Sequence, residues 1–463
     1  MGMSKWALAL AGSVSLLAMS AVAQAQSLEE ALVQAYNSNP TLQAERANLR
    51  ATDEGLVQAR SARLPTVSAD ASISRQETES SSTFVIGNQQ VQSTSETDST
   101  PKNYSISATQ AIYRGGRTSG AIDQATASIL AGRERLRSTE HAVLVDTVTA
   151  FMDVRRDTEV VNIRRNNVEV LSQQLQAARD RFEVGEVTRT DVSQAEARLS
   201  GAQAEFSAAQ AQLAASRAAY ERMTGEPAGT LEEPPALPAL PESLSEAAAF
   251  AYDNSPQLLA AQYAEEAARY GVTVARGSLR PEVSVTASAT AARDSSFSGD
   301  ERDTTSIVGR VSVPLFTGGL NRSRVRAALA SEDQARHQVN LARRQVTEGV
   351  TNAWSNYVTS LAVIESSRQS VNANEIALDG VQQEAFVGLR TTLDVLNAEQ
   401  ELLNARLTLV TAERDSYVAA YRLMQAMGLL SAQQLGLQVE LYDPASVDNG
   451  GRGFTNLDLT PWN

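Results

Sequence analysis

Residues 65–74 read Pro-Thr-Val-Ser-Ala-Asp-Ala-Ser-Ile-Ser, and residues 281–290 read Pro-Glu-Val-Ser-Val-Thr-Ala-Ser-Ala-Thr. From each valine onward, apolar residues alternate with hydroxylated or acidic ones. That period of two belongs to a strand with one apolar and one polar face. The stretches lie 216 residues apart, and the same offset carries Leu28-Glu29-Glu30-Ala31 through Ala35-Tyr36 to Pro40 onto Leu244-Ser245-Glu246-Ala247 through Ala251-Tyr252 to Pro256. Further along the offset is 203: Gly115-Gly116 meets Gly318-Gly319, Gly185 meets Gly388, and Asp191-Val192 meets Asp394-Val395. Short matches at a constant offset define an internal duplication. The first half carries 13 extra residues between Pro65 and its double glycine.

The first repeat spans 26–224 and the second 244–428, joined by a Pro-rich linker at 225–243. Ser27 with Glu30, and Ser243 with Glu246, are capping boxes that open a helix. That helix is expected to run about 35 residues, to just before Pro65 or Pro281. Strands follow at about 66–76 and 102–113, and at about 282–292 and 304–315. The Ser-, Thr-, Asp- and Glu-rich segments between them, Gln76 to Pro101 and Arg293 to Asp303, read as solvated loops. Long helices are predicted over 117–184 and 319–387, tips over 184–191 and 387–394, and return helices over 190–224 and 392–428. A helix of that length extends roughly 100 Å. Val154, Val161, Val168, Leu175 and Phe182 step by seven, with Phe151 beside them; their counterparts are Tyr357, Ile364, Val371, Leu378 and Ala385, with Trp354. A sustained seven-residue repeat means left-handed coiled-coil packing.

The 463 residues include no cysteine, which excludes a disulfide framework, a thiolate zinc site and an S-acylated N-terminus. A formal charge of -14 argues against a nucleic-acid partner, which needs a basic face. No nucleophile elbow, phosphate loop or dinucleotide fingerprint occurs, so no catalytic residue, cofactor or metal site is expected. The two histidines, His141 and His337, occupy non-corresponding helix positions and read as solvated residues. Residues 1–25 have a signal peptide's parts: Lys5, an apolar stretch from Trp6 to Met19, and Ala23-Gln24-Ala25 before the cut. Beyond them no apolar window of 18 residues offers a membrane helix.

Four strands, apolar on one face and Ser/Thr-rich on the other, match the outer-membrane barrel pattern. A soluble sandwich is the alternative, but little other apolar material exists to cover the strands. Four strands cannot close, and lipid forbids open edges. Two copies give eight strands and three give twelve; three suits a conduit better, because eight fill with side chains.

The ordered set of motifs resembles the TolC-like outer-membrane efflux family. It comprises the duplicated Leu-x-Glu-Ala…Ala-Tyr…Pro openings, the Pro-x-Val-Ser strand starts, the exits Tyr113-Arg114-Gly115-Gly116 and Phe316-Thr317-Gly318-Gly319, and the Val-Gly-x-x-Thr-x-x-Asp-Val tips that begin at Val184 and Val387. The opening Asn37-Ser38-Asn39-Pro40 is more similar to the type I secretion branch than to the lipidated drug-efflux branch. The resemblance implies a mixed α/β membrane protein: a homotrimer with a twelve-stranded barrel in outer-membrane lipid, four strands per chain, continued by a long α-helical periplasmic barrel. It implies a passive conduit for secreted protein or drugs, docked to a periplasmic adaptor protein and an inner-membrane ABC-type or proton-driven transporter, with residues 429–463 near the tunnel equator. A periplasmic coiled-coil adaptor is the alternative function. At the tips, Gly185 and Gly388 permit a left-handed turn, and Thr190 or Asp191, and Thr392 or Asp394, can cap the next helix. The resemblance further makes Arg390 a tether between neighbouring hairpins, Thr190 and Asp191 its partners, and Asp394 a pore-ring residue. It places Asn397 where a second ring acid is expected, and Ala385, beside Phe386, where a tethering Tyr is expected.

Overall fold

The computed structural model describes residues 26–237, 240–295 and 299–442. The expected signal peptide and residues 443–463 of the C-terminal segment lie outside the described residues. The first half runs α1 (Leu28–Ser38), α2 (Pro40–Ser61), β1 (Thr66–Ile73), β2 (Gln76–Ile86), β3 (Gln89–Ser99), β4 (Lys102–Tyr113), α3 (Arg117–Glu183) and α4 (Arg189–Thr224). The second runs α5 (Leu244–Asn254), α6 (Pro256–Gly277), β5 (Glu282–Arg293), β6 (Glu301–Ser312), α7 (Leu320–Phe386) and α8 (Thr392–Ala426).

Two expected elements need correction. The opening helix of each half is two helices, because Pro40 and Pro256 lack an N–H and push the preceding residue out of the helical region. Asn39 (ψ 122°) and Ser255 (ψ 115°) are both extended there. Asn39 then caps α2, accepting from Thr41 N–H at 3.0 Å. The expected loop at Gln76 to Pro101 is instead a β-hairpin, with Gln76 opposite Ser99 and Ile86 opposite Gln89. Its polar composition hid the strands, since nothing there is buried enough to impose an apolar alternation.

One unit comprises residues up to 35, 147–238 and 369–414. Its core is the coiled-coil seam: Phe151, Val154, Val161 and Leu175 are buried, and the Phe151 ring sits 6.5 Å from Tyr220. Further along, Leu171 of α3 packs with Ala202 of α4 and Leu396 of α8. The linker lies extended here, where Gln26 N–H donates to Thr230 O at 2.8 Å and Glu232 N–H donates to Gln26 O at 3.0 Å.

The other unit comprises 36–146, 239–368 and 415 onward. Its helical part buries Leu42, Leu49, Leu144, Leu258, Leu423 and Leu430. Residues following α8 dock on α3: Arg137 donates to Gly428 O at 2.9 Å, and Ala432 N–H donates to Glu140 at 2.7 Å. The Arg46 guanidinium lies over the rings of Tyr36 and Tyr442. His141, expected on the surface, is 2% exposed.

The four-stranded antiparallel sheet of this unit has the order β1-β4-β5-β6, leaving β1 and β6 as edges. Its ladders align side chains in rows. Ser68, Ser107, Ser288 and Ser306 form one such row, with hydroxyl pairs at 3.0 Å (Ser68 to Ser107) and 2.9 Å (Ser288 to Ser306). The opposite face carries Val67, Ile73, Ile106 and Ile307, all more than half exposed. The sheet therefore has a hydroxyl face and an uncovered apolar face, as the alternation demands.

Candidate functional site

The informative positions are the two tips, where α3 turns into α4 and α7 into α8. Gly185 (φ 81°) and Gly388 (φ 83°) adopt the left-handed conformation that ends a helix without a Cβ clash. Gly185 N–H donates to Phe182 O and Glu186 N–H to Arg181 O; the second tip repeats this with Gly388 to Ala385 and Leu389 to Glu384. These paired bonds satisfy carbonyls that the helix end would otherwise orphan.

Restarting the chain is the work of Thr188 and Thr391, not Thr190 or Thr392. Asp191 accepts from Thr188 N–H at 2.9 Å and from its hydroxyl at 2.8 Å, and Asp191 N–H donates back to the Thr188 hydroxyl. Asp394 does the same with Thr391 at 2.9 and 2.7 Å. Both are capping boxes. The Thr391 N–H, and then its hydroxyl, hold the Asp394 carboxyl below its usual range; Thr188 does so for Asp191. Within the chain Asp394 is thus stabilised as an anion, whereas crowding around a symmetry axis would act in the opposite sense.

Arg390 donates from Nε to Glu384 at 2.7 Å, across its own turn, with half of each side chain exposed. Asn397 accepts from Arg198 at 3.1 Å, joining α8 to α4. Thr190 is exposed, as is Phe386. Sequence reasoning missed Thr188, Thr391, Glu384 and Arg198. The first two were signalled by Thr-x-x-Asp at the repeat offset; the last two depend on distances between elements that periodicity does not give.

At the strand-to-helix exits, Gly115 packs so closely that a Cβ there would meet Gly277 O at 2.5 Å. Gly116, Gly318 and Gly319 share its positive φ. Arg117 and Arg114 clamp Glu282, at 2.6 and 3.3 Å, beside this contact.

A family model described as outer membrane efflux protein matches residues 31–226 and 250–429, one segment in each half. The chain is 36% identical to the outer membrane efflux protein BepC of Brucella suis biovar 1, over 91% of this chain and 90% of that one. It is 26% identical to the outer membrane protein TolC of Escherichia coli, over 94% and 89%. The Campylobacter jejuni CmeC outer membrane channel superposes with a TM-score of 0.76 at 16% identity, covering 91% of this chain and 88% of that one. With a duplicated sequence matched in both halves and the fold shared along nearly the whole length, the chain belongs to the outer membrane efflux protein family and is an outer-membrane channel of a tripartite export system.

Proposed function

We propose that three copies of this chain share one twelve-stranded barrel and act as a passive conduit, performing no catalysis of their own. The observation that carries this reading is the four-stranded sheet with two open edges and an uncovered apolar face. Lipid tolerates such a sheet only when every edge is paired. A homotrimer pairs β6 of one copy with β1 of the next. Supporting it, α7 leaves Leu341, Val358, Leu361 and Ile376 exposed, a helix surface suited to a neighbouring copy. Energy and cargo choice then belong to an inner-membrane pump, ABC-type or proton-driven, reached through a periplasmic adaptor.

The tips are the proposed gate. Three Asp394 carboxylates around one axis would favour cations, as charged rings do in pores. Arg390 would tie adjacent hairpins by charge-assisted bonds to Thr190 or Asp191 of a neighbour, in exchange with Glu384 of its own hairpin. Asn397, held by Arg198, would add no charge to the ring. Planar-bilayer recording tests this: Arg390→Ala should raise conductance and Asp394→Ala should reduce cation preference. If both variants conduct and select like the parent, the tip carboxylates are helix caps only and the gate lies elsewhere.

A further inference from the structure

The β2–β3 hairpin is an extension of the β1–β4 ladder. Ile73 faces Lys102, Ser74 N–H donates to Pro101 O at 3.0 Å, and Gln76 faces Ser99, so the register passes through the break without a slip. Lys102 also faces Arg293, and Arg293 faces Glu301 where β5 and β6 end. The first hairpin therefore stands beyond the second by the 11 residues of β2. At strand rise that is about 37 Å of two-stranded ribbon. A ribbon alone in water is marginal, and its two strands are exposed along nearly their whole length.

Unbroken register fixes which way its side chains face. On β1 the odd positions Val67, Ala69, Ala71 and Ile73 form the apolar face and the even positions the hydroxyl face. Carried onward, the odd positions of β2 bring Glu77 and Glu79 to the first side, opposite Asp98 and Glu96. The even positions bring Phe84, opposite Val91, and Ile86 to the hydroxyl side. Phe84, Ile86 and Val91 are 54%, 71% and 45% exposed. The turn is tight, with Gly87 at φ 65° between Ile86 and Asn88. So the ribbon's larger apolar cluster, Phe84, Ile86 and Val91, faces away from the side that meets lipid, and the carboxylates share the outward side with Val85.

We propose that this tip docks on the same tips of the two other copies, forming a cap over the outer mouth of the channel; the inference rests on the trimeric reading above. Two features select a second copy over other occupants. β2 continues β1, the edge strand at the seam between copies, so the ribbon rises from an intersubunit boundary. The patch also lies on the face that looks into the barrel, where the other ribbons are. A twelve-stranded barrel has a radius of about 12 Å, so a ribbon of about 37 Å reaches the axis when it leans inward. On the other face Asp98 is paired with Arg75 at 2.9 Å, while Glu79 and Glu96 face each other as like charges and resist association there.

The chain contains no cysteine, so a single introduced thiol reports on itself alone. Ile86→Cys and Val85→Cys place that thiol on opposite faces of neighbouring residues. A disulfide needs Cβ atoms about 4 Å apart. Oxidation of intact outer membranes should therefore give covalent dimers with Ile86→Cys, roughly tenfold or more above Val85→Cys by the same distance requirement. Heat-resistant trimers, scored on the same samples under reducing conditions, separate the two readings. Intact trimers with no Ile86→Cys dimer, or with more dimer from Val85→Cys, overturn the cap and leave the trimer standing. Absence of trimers in the parent overturns both.

Discussion

His141 holds its imidazole inside the helical packing, where burial, and then the charge of Arg137, lower its pKa from 6.5 to about 4. A buried histidine kept neutral favours the folded chain above its ordinary pKa. That contribution is lost as pH falls from 6.5 toward 4, because the unfolded chain takes up the proton first. At 1.4 kcal/mol per unit it amounts to about 3 kcal/mol. Glu140 and Glu134, whose carboxyls burial raises, act in the opposite direction as pH falls. Only the difference between parent and His141→Gln isolates the histidine. Denaturant unfolding at successive pH values should show the parent losing stability more steeply than the variant between pH 6.5 and 4; parallel curves would contradict this. Phe151, fully buried against Tyr220, is the matching packing case. Phe151→Ala should cost about 3–5 kcal/mol in the same assay. Its twin Trp354 is only half-buried within one chain, so Trp354→Ala should act mainly on trimer yield. The seven-residue step located both aromatics but could not say which half of the duplication covers its own seam. Nor could it bury His141, because a lone histidine at a helix position carries no sign of what packs over it.

At the scale of elements, what was legible followed period and punctuation. The long helices, the tip glycines and the strands β1, β4, β5 and β6 carry strong local signals: sustained apolar spacing, Gly at a helix end, and clean alternation. The β2–β3 ribbon carries one such signal, the two-residue Gly87-Asn88 turn after Phe84-Val85-Ile86; the rest of its ladder is polar and set by the register of the strands beneath it. Pro40 marks the break between α1 and α2, but the apolar pattern continues on both sides of it and gives no sign of an interruption. The tips offered several Thr and Asp candidates, and only the backbone restart decides among them. Thr188→Ala removes the cap of α4 and should cost about 1 kcal/mol locally. Hydrogen exchange should accelerate for the first turn of α4 while the Phe151 region keeps its protection; a uniform change would mean the box is not the local cap. The proposed channel puts the β2–β3 hairpin on the cell exterior and the tips in the periplasm. A peptide tag inserted between Gly87 and Asn88 should bind antibody on intact cells, and one inserted after Gly185 only once the outer membrane is permeabilised. The reverse pattern would invert the molecule.

For the whole molecule, the physical constraint is closure. A single chain presents two unpaired sheet edges and an uncovered apolar face, with further apolar exposure along α7. None of these is tolerable in lipid or water for an isolated copy. The duplication supplies four strands per chain, and the count of copies then decides whether the barrel is filled or hollow. Heat resistance, gating and the outer cap all depend on that count. The most direct measurement is therefore the mass of the particle extracted from outer membranes in mild detergent, by native mass spectrometry. Three copies per particle is the result predicted, with no smaller folded species in the membrane fraction. A particle of one, two or four copies would contradict the twelve-stranded barrel.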